Sequence, residues 1–316
     1  MKKKIIISGV SGFISLHLVN KIINKNNIIY GIDKKLSKNL KILKNNKNFI
    51  FIKINLSKFK SVDDLSIKLK NIKFDSFWHL AANSDISKGV NDHKIELNDT
   101  FLTTINSVNL CKKLKIKKFI FSSSSAIFGN FKYKIHEYSS PAQPISNYGS
   151  MKLSSESYIY ASSINFDKIL ILRFPNVVGS NMTHGLLYDL RNKIKNNKKK
   201  LNILGDGNQK KPYLHVSNLV SYMHNLYQKK FIKKINVFNI GPSDSGITVK
   251  SIVKNFVEIL QLNNTNVIFQ NKKEGWNGDV VKYSYNNSLI KKTLNIKIPT
   301  SKQSINKAIK EIALDK

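Results

Sequence analysis

Tyr148-Gly149-Ser150-Met151-Lys152 stands downstream of a serine-rich stretch, Ser122-Ser123-Ser124-Ser125-Ala126-Ile127-Phe128-Gly129. Residues four apart on a helix share a face, so the phenol of Tyr148 and the amine of Lys152 can be aimed into one site. A phenol titrates at about 10 in water, too high for a base at neutral pH. A neighbouring ammonium, joined by a cationic cofactor ring, favours the phenolate and lowers that value. A lone Tyr-x-x-x-Lys also fits any solvated helix; the pair gains meaning from hydroxyls at the end of an apolar run and from a second motif near the start of the chain.

That second motif is Gly9-Val10-Ser11-Gly12-Phe13-Ile14-Ser15. It lies between a short apolar run and a segment of helical periodicity. Gly9 permits a tight turn, and Gly12 lets backbone approach a pyrophosphate at a helix N-terminus, where N–H groups and the helix dipole favour anions. Ser15 replaces the third glycine of the usual pattern. Asp33, 24 residues after Gly9, ends the next apolar run. A carboxylate there accepts from both ribose hydroxyls and repels a 2′-phosphate, which points to NAD rather than NADP, with Lys34 and Lys35 softening the discrimination.

Elements that could hold these motifs alternate along the chain. Apolar strands are expected at Lys4 to Ser8, Ile28 to Ile32, Phe49 to Ile54, Ser76 to Leu80, Phe119 to Ser122 and Ile169 to Arg173. Helices are expected at Phe13 to Asn24, Asp63 to Leu69, Ile95 to Leu114 and Tyr148 to Ile164. Alternation of this kind gives an α/β fold with a doubly wound, Rossmann-type parallel sheet. After Arg173 the glycines become frequent and the elements shorter. Residues 1–173 are read as a dinucleotide-binding domain and 174–316 as mainly a smaller substrate-binding lobe, some of whose elements return to the sheet.

Composition narrows the class. The 316 residues are 41% hydrophobic, enough for a sizeable core. Cys111 is the single cysteine, so no internal disulfide can form, no metal-ligand spacing is present, and a cytoplasmic, reducing setting is expected. Glycines and Ser8, Ser11 and Ser15 interrupt the apolar start that follows Lys2-Lys3-Lys4, which argues against a secretory signal. No apolar run approaches the roughly 18 residues of a membrane span. The formal charge is +34, yet of 53 basic residues only Arg173 and Arg191 are arginines. Lysines are spread through Asn- and Ile-rich sequence, a compositional bias rather than a nucleic-acid footprint, although such a field welcomes an anionic ligand.

With these motifs in order, the chain resembles the extended short-chain dehydrogenases that modify nucleotide sugars, and within them the UDP-glucose 4-epimerase-like branch. The resemblance spans nearly the whole chain. It includes His79-Leu80-Ala81-Ala82, Arg173-Phe174-Pro175-Asn176-Val177-Val178-Gly179, Gly205-Asp206-Gly207-Asn208-Gln209, Tyr213-Leu214-His215-Val216 and Gly275-Trp276-Asn277-Gly278-Asp279-Val280. It implies bound NAD, a nucleotide-sugar substrate, a homodimer built through the helices around Ile95 to Leu114 and Tyr148 to Ile164, and a catalytic set of Ser124, Tyr148 and Lys152. By the same resemblance Gly9, Gly12, Phe13, Ile14, Asp33, Asn55, Leu56, Leu80, Ala81, Ala82, Ser122, Tyr148, Lys152 and Phe174 contact the cofactor. Ser124, Asn176, Lys211 and Tyr283 contact the substrate, with Tyr283 beside the sugar C2 substituent. Departures are Thr100 where asparagine is usual, Lys211 where arginine is common, and Glu274 and Trp276 where an arginine is expected, with Lys272 and Lys273 as possible substitutes.

The resemblance implies an epimerase working by transient oxidation to a keto-sugar and hydride return. A 4,6-dehydratase of this family carries Asp-Glu after the catalytic hydroxyl, where Ser125-Ala126 stand here, and a decarboxylase wants a nearby glutamate. A reductase of the family, or a non-catalytic dinucleotide- or RNA-binding protein, is the remaining alternative. The complete Ser124, Tyr148, Lys152 set speaks against a pure binder.

Overall fold

The computed structural model describes residues 2–131, 133–270 and 283–314. Two compact units are formed. The first is Met1–Ile127, Ser146–Arg173 and Val220–Phe238; the second is Phe128–Ile145, Phe174–Leu219 and Asn239–Lys316.

The first unit is built on a parallel sheet of seven strands. In chain order these are β1 (Lys3–Ser8), β2 (Asn27–Asp33), β3 (Phe49–Lys53), β4 (Ser76–His79), β5 (Lys118–Ser124), β6 (Lys168–Phe174) and β7 (Ile235–Asn239). Their order across the sheet is β7-β6-β5-β4-β1-β2-β3. Central strands covered on both faces read as unbroken apolar runs, which is why β1 was legible: Ile5, Ile6 and Ile7 are all buried. The six expected strands are present with ends moved by a residue or two, and the sheet adds β7. That five-residue strand follows the lysine run Lys229 to Lys234 and is too short for periodicity to single it out.

The four expected helices correspond to α1 (Phe13–Ile22), α2 (Phe59–Leu69), α3 (Thr103–Lys113) and α4 (Asn147–Ala161). One correction concerns the third. Instead of one helix from Ile95 there is a short helix, His93–Glu96, then a π-helical turn, Leu97–Leu102, then α3. Thr103 Oγ1 donates to the Asp99 carbonyl and Thr104 Oγ1 to the Thr100 carbonyl, both at 2.9 Å. Threonine hydroxyls that compete for helix carbonyls in this way distort the helix locally.

Strand order reverses between β1 and β4. Ser8 pairs with Ile32 on one side and with His79 on the other, so the three strand ends are level. In open α/β sheets ligands bind in the crevice beyond such a reversal. The loop after β1 is fixed by sterics. Gly9 has φ +65, and a Cβ there would lie 2.7 Å from the Ala81 backbone, so the β1 and β4 loops touch through bare glycine.

The second unit has its own core, in which Leu187, Leu190, Val253, Phe256, Ile305 and Ile309 pack together. Its strands pair in short parallel ladders, Asn176–Val178 with Tyr213–His215 and Lys200–Ile203 with Asn266–Phe269. Among the described residues no helix is long and apolar enough to cross a membrane.

Gly9→Ala is expected to destabilise the protein by at least about 2 kcal/mol, since it adds left-handed strain to a backbone clash. Chemical denaturation checks this, and a midpoint equal to wild type would contradict it.

Candidate active site

The loop after β1 and the end of β2 form one polar structure. The Ser11 N–H donates to Asp33 Oδ2 at 2.9 Å and the Lys34 N–H to Asp33 Oδ1 at 2.7 Å. Burial pushes the Asp33 carboxyl up from its ordinary value, and these backbone donors oppose the shift. Gly12 is the N-cap of α1 and makes no side-chain cap hydrogen bond. The first-turn N–H groups of Phe13 and Ile14 therefore have no intrahelical carbonyl to bond and suit an anion. Ser15, in place of the third glycine, is buried in α1 and is small enough for close packing there.

Asn55 Oδ1 accepts from the Ser57 N–H at 3.0 Å and from Ser57 Oγ at 2.8 Å, so this carbonyl already serves the turn after β3. Leu56 is buried, and its carbonyl accepts from Asn106 Nδ2 at 2.7 Å. Leu80, Ala81 and Ala82 follow β4 directly, and the Ala81 N–H reaches Ser8 Oγ at 3.4 Å.

Beneath the strand ends lies a polar network centred on His79. Its Nδ1 contacts Ser8 Oγ at 2.7 Å and Ser107 Oγ at 3.1 Å, and its Nε2 contacts Thr104 Oγ1 at 3.0 Å. Ser155 Oγ of α4 donates to Thr104 Oγ1 at 3.1 Å. Ser122 Oγ donates to the His79 carbonyl at 3.0 Å. Complete burial, helped by the Lys152 charge, holds His79 far below its ordinary pKa, so it is a neutral spacer joining β1, β4, α3 and α4.

Ser146 caps α4, its Oγ accepting from the Gly149 N–H at 3.1 Å. This starts the helix one residue before Tyr148 and aims Tyr148, Lys152, Ser155 and Glu156 inward. The Ser124 side chain is close enough to Tyr148 to lower the pKa of its phenol. Lys152 is 1% exposed, and its Nζ donates to the Ser122 carbonyl at 2.7 Å and lies 4.7 Å from the centre of the Phe121 ring. Burial lowers Lys152 to about 7, with Glu96 and Glu156 opposing the drop.

The structure thus brings Ser124, Tyr148, Lys152 and Ser122 together. It corrects one electrostatic expectation. Burial first, and Glu96 second, push Tyr148 up rather than down, and the counteracting group is the Ser124 side chain. Lys152 reaches the Ser122 carbonyl, so among this chain's own groups its charge does not outweigh the desolvation of the phenol.

A buried ion pair braces the same region. Arg173 Nε and Nη2 donate to Glu156 at 2.9 and 2.6 Å, and Ser123 Oγ donates to the same carboxylate. Sequence reading missed Glu156 and Glu96. The available signal was a polar stripe, Glu96-Thr100-Thr104-Ser107, at helical spacing where an apolar stripe is normal for a packed helix.

The remaining expected residues belong to the second unit. Asn176 opens the strand paired with Tyr213, Lys211 pairs with Ile247, and Phe174 is 9% exposed. Tyr283 is buried and meets Tyr285 edge-on at 5.7 Å. Lys272, Lys273, Glu274 and the motif Gly275 to Val280 lie outside the described residues.

Residues 5–241 match the family model described as NAD dependent epimerase/dehydratase family. A protein of Bacillus subtilis (strain 168) named as uncharacterized UDP-glucose epimerase YtcB is 29% identical over 262 residues, which is 79% of this chain and 80% of that one. Human dTDP-D-glucose 4,6-dehydratase is 24% identical over 285 residues, covering 87% and 77%. The solved UDP-glucuronic acid 4-epimerase from Bacillus cereus, in complex with UDP-glucuronic acid and NAD, superposes with a TM-score of 0.84 at 24% identity, covering 99% and 100%.

Glu156→Gln takes the carboxylate from buried Arg173, and a loss of about 3 kcal/mol in unfolding free energy is expected. Urea denaturation measures it; an unchanged midpoint would show that the pair does not brace the site.

Proposed function

The chain belongs to the NAD-dependent epimerase/dehydratase family, and on that premise we propose that it is an epimerase of a nucleotide-activated sugar, of UDP-glucose/UDP-galactose 4-epimerase type. The observation that carries this reading is buried Lys152, its Nζ on the Ser122 carbonyl and 5.8 Å from the centre of the Tyr148 ring, with Ser124 close enough to act on that phenol, at the strand ends flanking the reversal of the sheet.

The residues fit NAD. The uncapped first turn of α1 suits a diphosphate, and Asp33, fixed by two backbone N–H groups, suits ribose hydroxyls and disfavours a 2′-phosphate. Gly9, Gly12, Phe13, Ile14, Leu80, Ala81 and Ala82 line the approach, with Asn55, Leu56, Ser122 and Phe174 assigned to the same ligand. When bound, NAD supplies a reversible hydride acceptor, so net redox change is zero.

Tyr148 Oη, entering the step as the phenolate, takes the proton of the reacting sugar hydroxyl as that carbon becomes a carbonyl, and returns it when the carbonyl is reduced. Ser124 Oγ, beside the phenol, holds the sugar oxygen and shares the proton. Lys152 holds a cation against the Ser122 carbonyl and would bind the cofactor's ribose. The high pKa of Tyr148 means that the phenolate forms, its own proton passing to solvent, only once cation and substrate are assembled around it.

Against a 4,6-dehydratase stands Ser125-Ala126, since neither side chain is an acid at neutral pH. In the second unit Asn176 and Lys211 are assigned to the nucleotide sugar, Lys211 as a point charge without the fork of an arginine. Tyr283, packed on Tyr285, is assigned as the bulky wall beside the sugar C2 position, which favours hexoses over N-acetylhexosamines. The reading includes a cytoplasmic homodimer formed through the α3 and α4 region.

Wild type incubated with UDP-, GDP- and dTDP-sugars, with products resolved by NMR, is expected to interconvert a C4 epimer pair. Tyr148→Phe should keep its unfolding midpoint and lose turnover by at least about a thousandfold. No epimer formed from any sugar, or near wild-type rates in Tyr148→Phe, would refute the proposal.

A further inference from the structure

Glu96 is a fully buried carboxylate that the proposed chemistry does not use. Its Oε1 accepts from Asn83 Nδ2 and its Oε2 from Thr100 Oγ1, both at 2.7 Å. The Asn83 N–H in turn reaches Thr100 Oγ1 at 3.2 Å. Gly89 packs against the Glu96 side chain so closely that a Cβ would clash with it, and the Gly89 carbonyl accepts from Asn147 Nδ2 at 2.8 Å. Asn147 is the first residue of α4 and the neighbour of Tyr148. The carboxylate also sits where the short helix His93–Glu96 passes into the π-helical turn, a distortion that often marks a functional position.

We propose that Glu96 is a positioning residue that sets the charge states of the Tyr148–Lys152 pair while Asn83 and Thr100 hold it in place. This rests on the catalytic reading of that pair. Thr100 acquires a role in the same step: its hydroxyl, standing where relatives carry asparagine, holds the carboxylate. Other charges bear on the cluster from each packed element. Asp99 lies one turn away and pairs with Lys34, Glu156 on α4 pairs with Arg173 and faces Lys152, and His79 on β4 is neutral. Asp85 precedes the helix Ile86–Asn91 without capping it through its side chain, and its carbonyl accepts from Asn83 Nδ2 at 2.9 Å.

The consequence follows from sign. A negative charge raises the pKa of every acid near it, whether a phenol or an ammonium. Glu96 does this to both Tyr148 and Lys152. Burial pushes Glu96 itself up, and Thr100, Asn83 and the Lys152 charge hold it down. Activity needs the Tyr148 phenolate and the Lys152 ammonium together, so the acid and alkaline limbs of the pH profile report the two titrations of this coupled pair. Removing the Glu96 charge therefore moves both limbs to lower pH together. A residue with a packing role alone would change the height of the profile and leave its limbs in place.

The test is the pH profile of kcat for wild type, Glu96→Gln and Glu96→Asp, with the pH dependence of NAD affinity by calorimetry as a readout independent of turnover. Glu96→Gln keeps the volume, and the Thr100 hydroxyl can rotate to accept from the new amide. Both limbs are expected to shift to lower pH by about one unit, and the alkaline fall of NAD affinity with them. Glu96→Asp, whose charge is withdrawn by one methylene, should shift both by less. If Glu96→Gln does not fold, Glu96→Asp decides, because its limbs must still move in the same sense. Unmoved limbs, or limbs moving in opposite directions, overturn the proposal. The catalytic reading fails separately, when the limbs are absent from wild type or persist in Tyr148→Phe.

Discussion

The burial of the Lys152 ammonium is the constraint around which the first unit is arranged. An ammonium withdrawn from water carries a penalty of several kcal/mol unless protein groups replace the lost hydration. Here the replacements are the Ser122 carbonyl at 2.7 Å, the face of Phe121, and the carboxylates of Glu96 and Glu156. They do not restore the full loss, because Lys152 falls from 10.5 to about 7. The unfolded chain therefore binds more protons at this position than the folded one between these values. The contribution of Lys152 to stability rises as pH climbs through that window and is least below about 7. Function asks for the charged form and stability for the neutral one. A site held against its own stability in this way is expected where binding, not folding, supplies the missing interactions.

The rest of the unit supplies the rigidity this needs. Level ends of β1, β2 and β4 place the glycine loop, Asp33 and His79 along one rim. His79 joins β4 to β1 and α3 through both ring nitrogens, and to α4 by way of Thr104 and Ser155, while staying uncharged, so it adds no repulsion beneath Lys152. Among the described residues Arg173 is the other buried cation, and it differs in having a bidentate carboxylate partner in Glu156. Two cations of opposite design thus flank Glu156: one fully compensated and structural, one partly compensated and able to titrate.

Much of this was legible in the sequence. The apolar runs of the central strands, the spacing of Gly9, Gly12 and Asp33, and the four-residue interval from Tyr148 to Lys152 each report a local constraint that survives tertiary context. Less legible was anything decided by contacts distant in sequence. The seventh strand is five residues long and amounts to a strand only beside β6. The π-helical turn between Glu96 and Thr103 goes with threonine hydroxyls bonding back to carbonyls, which hydrophobic periodicity does not register. The direction of the Tyr148 shift depends on how deeply α4 sits and on Glu96, a residue 52 positions earlier. A spacing rule can pair a lysine with a tyrosine; it cannot weigh that lysine against desolvation.

The most direct measurement of this account is the titration of Lys152 itself in the cofactor-free protein, followed by NMR of 13C-labelled lysine side chains with Lys152→Met identifying the resonance. A midpoint of about 7 is expected for Lys152. A midpoint of about 10, the ordinary value for lysine, would mean that the ammonium is not desolvated as described and would contradict the account.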